Sequence, residues 1–310
     1  MKYVQYINSL IKSQVHNKPN LVIFGQNVNA GSCLGGLTSG LSVQDGLIIN
    51  AQNSENTLVG IGFGLMLNSV SSIFFMKQMD FLLLGIDHLV NTYNIVRQAN
   101  PSASFTIFPI IVDSGYEGPQ SSLNNFDDFC SIADIEGYSF TNKEDTRCII
   151  SNHLVKPGFR VMSTGQRLLQ EEVLDIEILY REKDCKYFQY SKGENVSIIC
   201  FNQALPYGIE LRNVMFNCGI SASLFSINSH LFSDYSLIIN DIENTKKMIV
   251  IDDTKSKNSI RDHFISDILD RCILERKKVI LRSSQESNYY PCKDTLEIDY
   301  QYIANYFLKK

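Results

Sequence analysis

The chain has 310 residues, 44% of them hydrophobic and 11% aromatic, which is enough to bury cores in two domains of ordinary size. Its formal net charge is −5, with 28 Lys and Arg scattered among 33 Asp and Glu, so it lacks the basic footprint of a nucleic-acid partner. No apolar run approaches the roughly 20 residues that span a bilayer, and the interrupted amphipathic start MKYVQYINSLIKSQ does not read as a signal peptide; a soluble, cytoplasmic chain is expected.

A helix over residues 3–13 leads into a strand at 21–24 and a loop at 25–41 rich in Gly, Ser and Asn. Backbone amides of that loop could cradle a phosphate, but it has neither the P-loop order nor a dinucleotide fingerprint, and a plain connection is the simpler reading. A strand at 47–50 then delivers Ser54 as the N-cap of a helix whose apolar residues recur at Leu58, Ile61, Leu65 and Met66. Glu55 falls in the first turn of this helix, where a carboxylate favours the dipole with no further role required. Gly60, Gly62 and Gly64 each cost about 1 kcal/mol relative to alanine inside a helix, so a neighbour packed close to this backbone is expected.

Residues 72–76 read as a buried strand and 84–98 as a helix, with His88 a structural residue near its polar edge. The run 105–113, FTIFPIIVD, has the β-branched, continuously apolar character of a buried parallel strand, with one ladder bond lost at Pro109. Helices at 126–132 and 142–153 and a strand at 159–162 follow, and the charged segment 174–184 looks like a boundary. Beyond it, strands at 196–201, 222–227, 248–252 and 278–281 alternate with helices at 206–216 and 259–274 and precede one at 299–308. This βαβ order implies a small, mostly parallel sheet. The expected division is 1–184, a linker at 185–193, and 194–310. Eight cysteines, at 33, 130, 148, 185, 200, 218, 272 and 292, form no C-x-x-C pair, so neither a zinc cluster nor a thioredoxin-like motif is expected.

The pattern S-E-N-x-x-V-G-x-G-x-G-L from Ser54, with Phe81 26 positions after the glutamate and then Asp87-His88-Leu89-Val90-Asn91, resembles the pyrimidine-binding domain of transketolase-like thiamine diphosphate enzymes. The best resemblance is to the beta subunit of 2-oxo acid dehydrogenase decarboxylase components, of the pyruvate dehydrogenase type. The order of pieces after residue 194, including IICF, MIVIDD and the late Pro291 and Glu297, is similar to the transketolase C-terminal domain. The fold this implies is α/β, a pyrimidine-binding domain followed by a transketolase C-terminal-like α/β domain. The resemblance further implies that Glu55 is catalytic, bonding a ring nitrogen of the cofactor's aminopyrimidine, and that Phe81 stacks on the ring. Ser54 and Gln78 are expected as further cofactor contacts, with Lys77 and Met79 lining the same pocket.

Two departures matter. The G-D-G that holds the diphosphate and Mg²⁺ in this family does not occur; Gln44-Asp45-Gly46 lacks its first glycine. By resemblance an alpha-type partner chain supplies thiamine diphosphate's diphosphate and Mg²⁺ half, this chain also pairs with a second copy of itself, and an α₂β₂-like heterotetramer results. In addition, the segment SGYEGPQSSLNN resembles the family's G-P-Q-H-S-Q loop, and its Gln120 and Ser121 are candidate active-site residues, with Ser121 where relatives carry histidine. An imidazole with pKa near 6.5 moves protons in acyl transfer, whereas an unactivated hydroxyl does so poorly. The expectation is a beta-type subunit acting on a 2-oxo acid, yielding an acyl group, an aldehyde or an acyloin. The alternatives are a split transketolase subunit moving a two-carbon ketol unit from a ketose, and a non-catalytic partner subunit.

Overall fold

The computed structural model of the chain describes residues 1–113, 124–231, 234–282 and 296–308. Gln120, Ser121 and Pro291 lie outside the described residues. The chain folds into two six-stranded sheets flanked by helices. No helix among the described residues is long and apolar enough to cross a membrane.

The first sheet has the order β2-β1-β3-β4-β6-β5 and is parallel throughout. It is formed by β1 (Val22–Gly25), β2 (Leu47–Asn50), β3 (Ser72–Met76), β4 (Ser104–Ile111), β5 (Glu136–Ser139) and β6 (Gly158–Gly165). β3 and β4 are buried along their whole length, as their unbroken apolar runs require when helices cover both faces. Pro109 leaves a gap in the register between β4 and β6, where Ile107 pairs Val161 and the next pair is Ile110 with Thr164. Ser163 Oγ closes that gap by donating to the Pro109 carbonyl at 2.7 Å.

Around this sheet lie α1 (Tyr3–His16), α2 (Glu55–Leu67), α3 (Tyr93–Val96), α4 (Phe126–Ser131), α5 (Lys143–His153) and α6 (Gln166–Leu169). The single helix expected at 84–98 is instead a succession of short turns: 3₁₀ over Met79–Gly85, π over His88–Thr92, α3, and 3₁₀ over Arg97–Ala99. Burial of Met79, Leu82, Leu89 and Val96 on one side draws the backbone away from ideal α geometry. α2 is held by aromatic packing, since the Phe63 ring meets Phe105, Phe159 and Tyr93 at centroid distances of 5.1, 4.8 and 5.8 Å.

The second sheet has the order β12-β11-β9-β10-β8-β7. Its parallel part comprises β9 (Val196–Phe201), β10 (Ala222–Ile227), β11 (Lys247–Asp252) and β12 (Arg276–Leu281), covered by α7 (Leu205–Asn217), α8 (Ser236–Thr245), α9 (Ile260–Arg271) and α10 (Tyr300–Leu308). Two antiparallel strands, β7 (Tyr180–Arg181) and β8 (Tyr187–Ser191), extend its edge, so strand structure of the second layer starts ahead of the 185–193 segment read as a linker.

The layers meet along a polar seam. Ser139 N donates to the Asn228 carbonyl and His230 N to the Gly137 carbonyl. Tyr190 Oη donates to the buried Asp145 carboxylate at 3.0 Å. The hydrophobic core containing Tyr3, Ile7 and Phe108 also contains Phe188, Ile198 and Leu224, so apolar packing is continuous from α1 to β10.

Candidate functional site

β2 ends at Asn50, and Asn50 Oδ1 accepts from the Asn29 amide at 2.9 Å, tying the β1–β2 loop to the approach to α2. That loop is anchored by buried Val28, Leu34, Leu37 and Leu41, while Asn8 Nδ2 donates to the Leu37 and Ser39 carbonyls. Gly25 starts the loop at φ 144°, and a β-carbon there would lie 2.1 Å from the Phe75 carbonyl oxygen, so only glycine lets β1 and β3 approach at this point.

Ser54 occupies the N-cap of α2, although its hydroxyl bonds Thr57 Oγ1 at 2.9 Å instead of a helix amide. Glu55 is the first residue of the helix and is half-buried. The glycines of α2 have distinct neighbours. A β-carbon on Gly60 would meet His88 Nε2 at 2.7 Å, one on Gly62 would meet Phe105 Cζ at 2.1 Å, and one on Gly64 would meet nothing within 4 Å. Gly85 faces the first turn, where a β-carbon would lie 2.7 Å from Val59 Cγ2 and 3.5 Å from the Glu55 carbonyl. The close packing on α2 thus comes from the 79–92 segment on one side and from β4 on the other, and the two together set the position of the Glu55 turn. His88 rests over Gly60 with its Nδ1 2.7 Å from Thr92 Oγ1, a packing histidine.

Glu55 and Phe81 line one cleft, together with Leu58 of α2, Phe74, Phe75 and Met76 at the end of β3, Lys77, and the polar Gln26, Gln52 and Asn53. The cleft holds only about 10 Å³, room for a single water, so it encloses no larger ligand by itself. Beside it is a chamber of about 470 Å³ at the carboxyl ends of β1, β3, β4 and β6, where ligands bind in open α/β sheets. Lys77 borders both spaces. Gln78 is buried and faces the chamber, whereas Met79 is fully buried in the core and lines neither. Ser54 is at the cleft's edge in sequence but does not line it.

The chamber's inner wall carries a charge cluster that sequence reading did not find. Arg167, just after β6, stands 3.0 Å from Asp113 Oδ2 and 2.9 Å from Asp253 Oδ2, and it also donates to Tyr207 Oη. Burial pushes the Asp113 carboxyl up to about 6 against the opposing pull of Arg167. A wider cleft of about 1070 Å³ opens near the ends of β10 and β11, lined by His230, Lys257, Asp262 and His263 among others, and none of the expected cofactor contacts borders it.

An aminopyrimidine ring calls for a carboxylate beside a ring nitrogen and an aromatic face, and Glu55 and Phe81, which line one cleft, are residues of these two kinds. No family model matches the chain. Over 309 residues it is 19% identical to the pyruvate dehydrogenase E1 component subunit beta of Bacillus subtilis (strain 168), covering 94% of this chain and 91% of that protein. The Staphylococcus aureus (strain N315) subunit is likewise 19% identical, over 94% of this chain and 91% of that one. The mitochondrial subunit of Dictyostelium discoideum is 20% identical over 82% of this chain and 74% of its own length. Among solved structures, a split gene transketolase, described as an inactive beta4 tetramer, superposes with a TM-score of 0.69 at 11% identity, over 89% of this chain and 87% of that one. Its fold is transketolase-like, and along most of its length the sequence is similar to beta subunits of the pyruvate dehydrogenase type. Glu55 and Phe81 thus line one cleft, while Ser54 lies outside its lining and Gln78 faces the neighbouring chamber.

Proposed function

We propose that the chain is the beta-type subunit of a two-chain thiamine diphosphate-dependent enzyme acting on a 2-oxo acid. The observation that carries this reading is the convergence of Glu55 and Phe81 on one cleft from elements 26 positions apart. Thiamine diphosphate, when bound, supplies a nucleophilic carbon that adds to a carbonyl and accepts the electron pair released by cleavage of the adjacent bond. Glu55 holds the proton shared with a pyrimidine ring nitrogen, favouring the tautomer in which the cofactor's own amino group accepts a proton. The apolar side chains of Leu58, Phe74 and Met76 beside the cleft lower the local dielectric, so the Glu55 hydrogen bond counts for more than it would in water. Phe81 fixes the ring plane.

Because this cleft is so shallow, the diphosphate and Mg²⁺ belong to an alpha-type partner. The apolar residues exposed on α2 and the segment packed against it, Ile61, Leu83, Leu84 and Ile95, support docking of other chains on this face. The split gene transketolase with this fold is inactive as a beta4 tetramer, which parallels the need for a second chain. Ser121, at the position where relatives carry histidine, favours release of an aldehyde or acyloin over acyl transfer to lipoamide.

Glu55→Ala in the assembled enzyme tests the assignment. Assembly should be unchanged and turnover should fall by about 10²–10⁴-fold, the range for a lost proton-handling group. Equal turnover before and after the substitution would refute it.

A further inference from the structure

Cys148 on α5 and Cys185 in the turn ahead of β8 are far apart in sequence, yet Asn152 Nδ2 reaches both, donating to the Cys148 carbonyl at 2.7 Å and to Cys185 Sγ at 3.6 Å, and the two thiols influence each other's titration. Two arginines crown the pair. Arg181 Nη1 donates to Cys148 Sγ at 3.1 Å, and Arg147 Nη2 stands 3.8 Å from the same sulfur. The Cys185 thiol, reinforced by Arg181 and Arg147, brings Cys148 down to about 6, while the same interaction and burial push Cys185 up. The pair therefore has a division of labour, one sulfur held as thiolate and the other kept protonated beside it.

We propose that Cys148 and Cys185 are a redox-active thiol pair that reduces a small peroxide and closes to an intramolecular disulfide. The Cys148 thiolate attacks one peroxide oxygen, the O–O bond breaks, and the departing hydroxide takes a proton from solvent, leaving a sulfenic acid. Cys185 sulfur then attacks Cys148 sulfur, the S–O bond breaks, and a second water leaves with the Cys185 proton. The two thiols together lose two electrons, and one hydrogen peroxide becomes two waters. The two residues are only 2% and 0% exposed, which excludes a bulky disulfide and restricts the oxidant to one as small as a peroxide. The bridge would tie α5, on the first sheet, to the turn that feeds β8 of the second. A cytosolic disulfide of this kind is a sensing or transient one.

The test is peptide mass mapping of the reduced full-length chain after a short exposure to hydrogen peroxide, with free thiols alkylated. A Cys148–Cys185 linked peptide should appear at least about tenfold faster than any oxidation of Cys33 or Cys218, which are more exposed but have no arginine bonded to them among the described residues. Oxidised glutathione at matched concentration should give no such link. Cys185→Ser should stop at a sulfenic acid on Cys148, captured by a cyclic dione. Oxidation of Cys33 or Cys218 ahead of the pair, absence of the link in the native chain, or a link formed equally fast by glutathione disulfide would each overturn the proposal. The native-chain mapping decides it even if the serine variant does not fold.

Discussion

Arg167 Nη2 lies 2.9 Å from Asp253 Oδ2, joining the residue that follows the first sheet to the end of β11 in the second. The same guanidinium holds Asp113 on its other side, so one cation balances two carboxylates at the inner wall of the chamber. Replacing it leaves both buried acids with Arg282 as their remaining nearby cation, which costs up to about 3–5 kcal/mol. Arg167→Met should therefore lower the denaturant midpoint of the isolated chain strongly at pH 8. The loss should be smaller at pH 5, where carboxyls raised by burial become protonated and no longer need the cation. An equal loss at both pH values would show that Arg167 contributes packing alone.

The buried carboxyls also set how the native chain responds to pH. Burial pushes Asp145 up to about 7, outweighing the hydrogen bonds it accepts from Tyr190, Asn142 and Thr141. Asp252 is shifted to about 7 by burial and by Asp127 nearby. In the unfolded chain such groups titrate near 3.9. A carboxyl raised on folding contributes stability that is complete below the unfolded value and is lost as pH rises through the folded one. The unfolding temperature should fall between pH 5 and pH 8, and Asp145→Asn should reduce that fall. A steeper fall in the asparagine variant would contradict the assignment.

The glycines of α2 give a paired test of its packing. Gly62→Ala puts a methyl group 2.1 Å from Phe105 Cζ, within a well-packed aromatic cluster, and should cost about 1–3 kcal/mol by overpacking. Gly64→Ala meets nothing within 4 Å and should stabilise the isolated chain by about 1 kcal/mol through helix propensity. Urea unfolding of both variants reads the difference, and the two shifts should have opposite signs.

Elements that carry an apolar run were legible in the sequence, whether buried as in β3, β9 and β10 or largely exposed as in β2: they fall at 72–76, 196–201, 222–227 and 47–50, as that run places them. β5, reading EGYS, and β7, reading YR, carry no such run and owe their pairing to neighbours already in place. The short antiparallel edge is selected by tertiary packing in the same way, whereas α8, also absent from the expected elements, has its own amphipathic pattern with Ile238, Ile239 and Ile242 buried on one face. Glu55 could be singled out because its helix start is marked by Ser54 and by three unusual glycines. Its partnership with Phe81 rested on resemblance alone, since no local rule connects them. The Asp113–Arg167–Asp253 cluster and the Cys148–Cys185 pair join residues from distant segments, and nothing local to either marks the other.

Phe81 offers a check on the cleft that does not depend on chemistry at Glu55. Phe81→Ala removes the aromatic face while leaving the carboxylate in place, and stacking on an aromatic ring contributes about 0.5–1.5 kcal/mol beyond area burial. Thiamine diphosphate affinity of the assembled enzyme should fall by about 3–10-fold or more, with Phe81→Tyr recovering most of it. Unchanged affinity in the alanine variant would remove Phe81 from the cofactor wall.

A native pull-down of the chain tests whether it forms half of a thiamine diphosphate site. The co-purifying polypeptide is sequenced and bound thiamine diphosphate is assayed in the same sample. A partner carrying G-D-G with a downstream asparagine, recovered with the cofactor, is the predicted result. A chain that purifies alone and without cofactor would contradict the claim and reduce Glu55 to a carboxylate at a helix start.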